Sequence, residues 1–371
     1  MKYKLIDMAT IYDLAFANIP GVGPATAKEI MNVYSSTEEF FSETRSNLEK
    51  IFKTRTKTID AIVNKTMFDK CEKELLFMEK YNIKCLFFKD EQYPHRLLQL
   101  PDNPICIYYQ GNQDLNLGKM VGIVGTRNAT QYGKELTEKI VQELKEYGVG
   151  IVSGLAYGID SVSHRVSLKE GIPTFAVLGH GLDMIYPKEN FDLAIEMTNQ
   201  GGLITEFMTG TKPESYNFPK RNRIIAGLCD CVIVIEAAKK SGSLVTADLA
   251  NQYDREVFAL PGRVNDEFSL GCNYLISSQR ANILHSIDDI VKIMNWDVAK
   301  ETQTKKKPKK PTHLTKDESI IYDIIDCKEE INIDDLSIEC KLNPSVLASC
   351  LLNLELEGII RCLPKKTYKI C

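Results

Sequence analysis

Six short apolar runs constrain this chain more than any other feature: "MVGIVGT" from Met120, "GVGIVSGLA" from Gly148, "IPTFAVLGHG" from Ile172, "GGLITEF" from Gly201, "CVIVIEAA" from Cys231 and "EVFALPG" from Glu256. None of them alternates apolar with polar. Alternation marks a strand with one wet face, whereas unbroken hydrophobicity marks a strand covered on both. Strands of that kind, separated by helical patterns, require a mainly parallel sheet with helices on either side. The span from Met120 to about Asn295 therefore reads as an open, extended Rossmann-like α/β domain.

The flanks have a different pattern. Up to Tyr81 apolar residues recur at helical spacing, which predicts a small all-helical domain over residues 1–82. Within it "IPGVGPATAKEIM" carries Gly21 and Gly23 of a helix-hairpin-helix turn, a device that either offers backbone N–H groups to a phosphate or only packs two helices. "CLFFKDEQYPHRLLQLPDNPICIYYQGN", from Cys85, mixes aromatic runs with three prolines and reads as an extended lead-in, so the sheet domain is taken as 83–298. A Lys-rich, apolar-poor stretch containing "TKKKPKKP" predicts a linker over 299–316. The remainder, 317–371, reads as three helices and a terminal hairpin around Pro364, Lys365 and Lys366, which is a winged-helix domain. Its third helix is opened by Asn343 and Pro344 and closed by Gly358.

Composition narrows the partners. With a formal net charge of -4 the chain is no polycation, so nucleic-acid binding would rest on local patches. The 11 cysteines form no C-x-x-C pair and no histidine stands at zinc spacing, so reduced thiols and no metal are expected. No apolar run approaches the ~18 residues of a membrane span, and the first residues lack a signal-peptide core. A soluble, cytoplasmic protein without membrane contact is the expectation.

In an open parallel sheet the carboxyl ends of the strands face one crevice, so the turns after the runs are where a ligand belongs. The first turn, Gly125, Thr126 and Arg127, lacks the G-x-G-x-x-G spacing of a dinucleotide site, and no P-loop occurs. Arg127 adds a charged fork suited to a phosphodiester, or else it pairs with a structural carboxylate such as Asp160. The second turn brings Gly154 and Gly158, and the third brings Lys188. The fourth, "NFPKRNR", brings Phe218, Lys220, Arg221, Asn222 and Arg223, and the fifth brings Gly242 and Ser243 beside Ser241. Glycines, hydroxyls and cations from five turns point to a polyanion. Phe218 is the candidate stacking platform for a base, while Tyr108, Tyr109 and His164 read as packed residues. Asp160, Asp183 and Glu206 read as orienting or capping acids.

On "GIVGTRNATQYG", "SGLAYGIDSVSH", "GLDMIYPKEN", "KRNRIIAGLCD", "SGSLVTADLA", "FALPGRV" and "SLGCNYLI", in that order, the chain resembles the bacterial DNA-processing protein A family, DprA or Smf. The resemblance implies a homodimeric single-stranded DNA binder, without cofactor or catalytic residues, that protects incoming DNA and helps load the RecA recombinase in natural transformation. It also implies phosphate contacts from the "GTR" turn, Lys188 and the "KRNR" cluster. After "CNYLI" the family has a Gly-Ala pair where this chain has Gln279 and Arg280. The competing class is the lysine-decarboxylase-like phosphoribohydrolases, which cleave nucleoside monophosphates and carry P-G-G-x-G-T-x-x-E before a late helix. Here the corresponding stretch is "SGSLVTADLA", where Asp248 is shorter and offset, so no pair of groups for acid–base chemistry is evident.

Overall fold

The computed structural model describes residues 10–296, 314–328, 331–357, 359–363 and 367–370. The described residues up to Trp296 pack as one compact unit, and those from Leu314 as a second. Most of the expected linker, up to position 313, lies outside the described residues, as do Gly358 and the Pro364–Lys366 turn.

The first unit is built on a nine-stranded sheet. Its strands are β1 (Lys84–Phe87), β2 (Cys106–Gly111), β3 (Met120–Val124), β4 (Gly150–Ser153), β5 (Thr174–Val177), β6 (Gly201–Thr205), β7 (Cys231–Val234), β8 (Glu256–Ala259) and β9 (Asn282–Ile283). They lie in the order β1-β2-β6-β5-β4-β3-β7-β8-β9. From β6 to β9 every pairing is parallel, and β2 joins β6 antiparallel. All six apolar runs are strands, and in β3 to β7 every residue is buried. The lead-in is more than an extended approach, because its two aromatic runs become β1 and β2 of the same sheet, with Cys85 opposite Tyr108.

The chain runs from β3 outward through β4 and β5 to β6, then returns past β3 to β7. The topological switch point therefore lies between β3 and β7, the place where open α/β sheets receive ligands. Helices cross between the strands, and two have clear sequence causes. Gln131–Leu144 starts where the Thr130 hydroxyl accepts the Gly133 N–H, and Ile159–Glu170 ends at Gly171, whose φ of 74° needs no Cβ.

Six helices, from Ile11–Ala17 to Phe68–Tyr81, make the N-terminal part. They share an apolar cluster with β1 and β2: Phe16, Phe40, Cys71 and Met78 pack with Cys85, Phe87, Cys106 and Tyr108 across the boundary expected near residue 82. In the hairpin, the carbonyl of Pro20 accepts the Thr58 hydroxyl at 2.8 Å and that of Gly21 accepts Arg55 at 3.3 Å. Glu74 crosses to the sheet, accepting the Thr209 N–H at 3.0 Å and its hydroxyl at 2.5 Å.

Gln279, standing where the family has glycine, adopts φ 58°, so the turn keeps a left-handed residue without the one that favours it. The second unit has helices Lys316–Lys328, Ile333–Cys340 and Pro344–Leu356. Its sheet is β10 (Ile331–Asn332), β11 (Ile360–Leu363) and β12 (Thr367–Ile370), ordered β10-β12-β11. The expected terminal hairpin thus gains a third short strand. Asn343 caps the third helix through its side chain, with Pro344 behind it.

Candidate nucleic-acid interface

Phe218 is the centre of the strand-tip surface. It sits in the first turn of the helix Asn217–Leu228, half-buried, with its ring edge against Gly179 beyond β5, where a Cβ would lie 3.1 Å away. The Arg127 guanidinium, from the turn after β3, lies 5.6 Å from the ring centroid. Arg221 lies 5.8 Å from it, and the Tyr186 ring, from the loop after β5, is 6.3 Å away. Three strand tips therefore meet at one aromatic face. A cation over such a face is attracted to the ring quadrupole and still keeps its donors free at the edge.

The two arginines differ in every other respect. Arg127 is exposed, and no hydrogen bond or ion pair holds its side chain among the described residues. Arg221 is 5% exposed and donates from Nη1 to the carbonyls of Gly154 at 2.6 Å and Val177 at 2.7 Å. Burial pulls its guanidinium down to about 10, with Asp160 opposing that pull and Arg127 adding to it. Asp160 is itself pushed up by burial, opposed by Arg221, and accepts the N–H groups of Gly154 and Ala156. It makes no bond to Arg127, so the pairing weighed from sequence is not formed.

The "KRNR" stretch does not act as one cationic cluster. Lys220 is exposed and lies 5.5 Å from the Tyr216 ring centroid. Asn222 is buried and reaches the Gly242 carbonyl at 3.3 Å. Arg223 is spent on an ion pair with Glu206 and a bond to the Asp102 carbonyl. The helix turns these neighbours in different directions, and only Lys220 keeps its charge in water.

The glycines are explained by packing more than by approach to a ligand. A Cβ on Gly125 would lie 2.5 Å from Ile159, one on Gly154 1.9 Å from Arg221, and one on Gly158 2.2 Å from the Thr126 carbonyl, at φ 77°. Gly242 alone among the five-turn glycines has open space. The buried Ser243 hydroxyl shares a hydrogen bond with Ser241 at 2.7 Å. Lys188 is exposed, two residues beyond Tyr186, and the neighbouring Glu189 accepts the Tyr157 hydroxyl at 2.5 Å. Thr126 is buried and takes the Asn128 N–H on its hydroxyl.

His164, Tyr108 and Tyr109 are core residues. His164 bonds Thr174 at 2.7 Å, and burial pushes its imidazole down to about 3. Asp183 caps the Gly210 N–H, and Asp248 pairs with Arg280 at 3.2 Å. Tyr186, Tyr157 and Glu236 belong to the site surroundings without having been singled out in the sequence. The first stood inside the quoted "GLDMIYPKEN", and the last closed the apolar run of β7.

A Rossmann-like sheet with its switch point open, and a free guanidinium over an aromatic face at the strand tips, defines an α/β binding protein whose site faces anions. A family described as DNA recombination-mediator protein A matches residues 84–295, and one described as the DprA winged helix domain matches residues 305–366. The chain belongs to the DNA recombination-mediator protein A (DprA/Smf) family. It is 38% identical over 281 residues to protein Smf of Synechocystis, covering 74% of this chain and 70% of that one. The fold is similar to that of DNA processing protein A from Streptococcus pneumoniae, with TM-score 0.65 and 32% identity over 77% of this chain and 98% of that one. It is also similar to the Helicobacter pylori protein described for its single-stranded DNA binding mode, with TM-score 0.53 and 31% identity over 58% and 97%.

Proposed function

We propose that the chain binds single-stranded DNA at the strand-tip surface and works as a recombination mediator rather than an enzyme, in the cytoplasm. The observation that carries this reading is Arg127: exposed, unpaired and laid over Phe218 at the tips of the sheet. Single strands expose both phosphates and unstacked base faces, and a guanidinium beside an aromatic ring answers both. The Helicobacter pylori relative, named for its single-stranded DNA binding mode, supports the same reading. Arg127, Lys188 and Lys220 are assigned to phosphates, with the main chain of Gly125 and Thr126 beside them, and Phe218 to a base. Gly154, Gly158, Arg221, Asn222, Arg223, Gly242 and Ser243 act behind them by fixing the loops.

One such surface spans only a few nucleotides, so useful affinity for long strands calls for linked protomers, and a homodimer is part of the proposal. Protection of incoming DNA and its transfer to a RecA-type recombinase complete it. The deciding experiment is a salt-titrated comparison of oligonucleotide single strands with the matching duplex. Preference for single strands, with log K falling linearly in log salt, supports the reading, whereas equal or stronger duplex binding overturns it. Sedimentation at micromolar concentration tests the dimer, and strand exchange by RecA on pre-coated single strands tests the hand-over.

A further inference from the structure

The switch-point crevice between β3 and β7 is where an open α/β sheet ordinarily seats a ligand phosphate, on the N-terminus of the helix after the first strand. Here a side chain of the protein occupies that seat. Glu236, two residues past the end of β7, reaches the start of the helix Gln131–Leu144. Its carboxylate accepts the Thr130 N–H at 2.9 Å and the Thr130 hydroxyl at 2.5 Å. It is 6% exposed, and its hydrogen-bond donors among the described residues are both on Thr130, with no cation paired to it. A carboxylate held by a helix N-terminus and a hydroxyl, without a counter-cation, is held as a phosphate oxygen would be. Gly133 leaves room for it, since a Cβ there would lie 2.4 Å from the carboxylate carbon.

The same residue fixes the other end of the turn. The main-chain carbonyl of Glu236 accepts the Thr126 N–H at 2.7 Å. One residue thus ties Thr126 through its backbone and Thr130 through its side chain, and Arg127 lies in the short span between those ties. We infer that Glu236 is a positioning residue for single-strand binding: it fills the phosphate seat of the crevice with a carboxylate of the chain and so presents Arg127 outward over Phe218. This rests on the reading of Arg127 as a phosphate contact.

The sign of the effect separates positioning from charge alone. A carboxylate near a cationic surface repels DNA, so removing it should tighten binding if charge were its only influence. If it holds the turn, removing it loosens Arg127 and weakens binding. The test uses the full-length protein, a labelled oligothymidylate and fluorescence anisotropy at several salt concentrations, on Arg127→Ala, Glu236→Ala, Glu236→Gln and the Arg127→Ala/Glu236→Ala double variant. Glu236→Ala should weaken binding about tenfold, the scale of one charge-assisted hydrogen bond, and should add nothing in the Arg127→Ala background. Glu236→Gln, which keeps an acceptor oxygen for the Thr130 N–H, should stay within about threefold of the parent. Unchanged or tighter binding by Glu236→Ala, or losses that multiply in the double variant, would overturn the inference. If circular dichroism shows Glu236→Ala unfolded, Glu236→Asp replaces it in the same cycle, keeping the charge one methylene short of Thr130, with the same two outcomes decisive. Full binding by Arg127→Ala alone would instead remove the phosphate reading itself, so the two failures are distinguishable.

Discussion

Two guanidinium groups lie over the same phenylalanine, Arg127 at 5.6 Å and Arg221 at 5.8 Å from its centroid, and they do different work. Arg221 comes from a stretch dense in cations and is consumed by the fold, its Nη1 bridging the ends of β4 and β5. Arg127 stands alone in a glycine turn and keeps its donors free. The contrast teaches that local charge density is a poor guide to a binding surface. What matters is which cations the fold has left without partners, because a cation bound to buried carbonyls has no hydrogen-bonding capacity to offer a ligand.

The sharpest break of that comparison is Arg221→Ala. It strands two buried carbonyls and leaves Asp160 buried without the positive charge beside it. A loss of about 3–5 kcal/mol in unfolding free energy is expected. Denaturant titration measures it, and a stability change under about 1 kcal/mol would place Arg221 outside the supporting structure. Lysine should not restore stability, since its single ammonium cannot reproduce the guanidinium geometry.

Next in size is Gly154→Ala, whose Cβ would sit 1.9 Å from the Arg221 guanidinium. Either the arginine or the β4 tip must move, at a cost of about 1–3 kcal/mol for overpacking. Gly242→Ala is the control, because nothing lies within 4 Å of a Cβ there. Its melting temperature should match the parent, and equal losses in both variants would contradict the packing account of the glycines.

Arg127→Ala reverses the pattern. Stability should be unchanged, because no carboxylate pairs with it, while binding to single strands of any sequence weakens by about 1–3 kcal/mol. The slope of log K against log salt should fall by about 0.7, the value for one neutralised phosphate of a single strand. A destabilised variant with an unchanged slope would turn Arg127 into a second Arg221.

The sequence made one arginine legible and the other misleading, for a physical reason. Unbroken Val and Ile runs announce a parallel sheet because burial on both faces is a local demand on each strand, and all six were found that way. The strands β1 and β2 were hidden by prolines and aromatic side chains that read as extended chain, and β9 has too few residues to show a pattern. Arg127 could be read because a turn at a strand tip is itself local. The fate of Arg221 depends on carbonyls 67 and 44 positions away, and that of Glu236 on Thr130, 106 positions away. No periodicity records partners at such distances.

The smallest expected effect concerns cations outside the sheet altogether. A winged helix that reads duplex DNA lays its third helix in the major groove, with side chains reaching bases and phosphates. Here the helix Pro344–Leu356 contains no Lys or Arg and carries exposed Val346 and Leu352, and acids outnumber bases from Asp317 onward. Deleting everything after His313 should therefore change single-strand affinity by less than about 0.5 kcal/mol and leave the salt slope as it was. Deleting everything after Thr304 also removes Lys305, Lys306, Lys307, Lys309 and Lys310, which are unspent cations like Arg127 but without an aromatic face beside them. That second deletion should lower the salt slope with only a modest loss of affinity, since such contacts are screened and release counterions without fixing register. Both truncations are compared by anisotropy on one oligonucleotide across a salt series. A large loss on the first cut would move the main binding surface to the winged helix. A larger loss on the second cut than from Arg127→Ala would show that charge density in the chain, rather than a cation left free by the fold, governs binding.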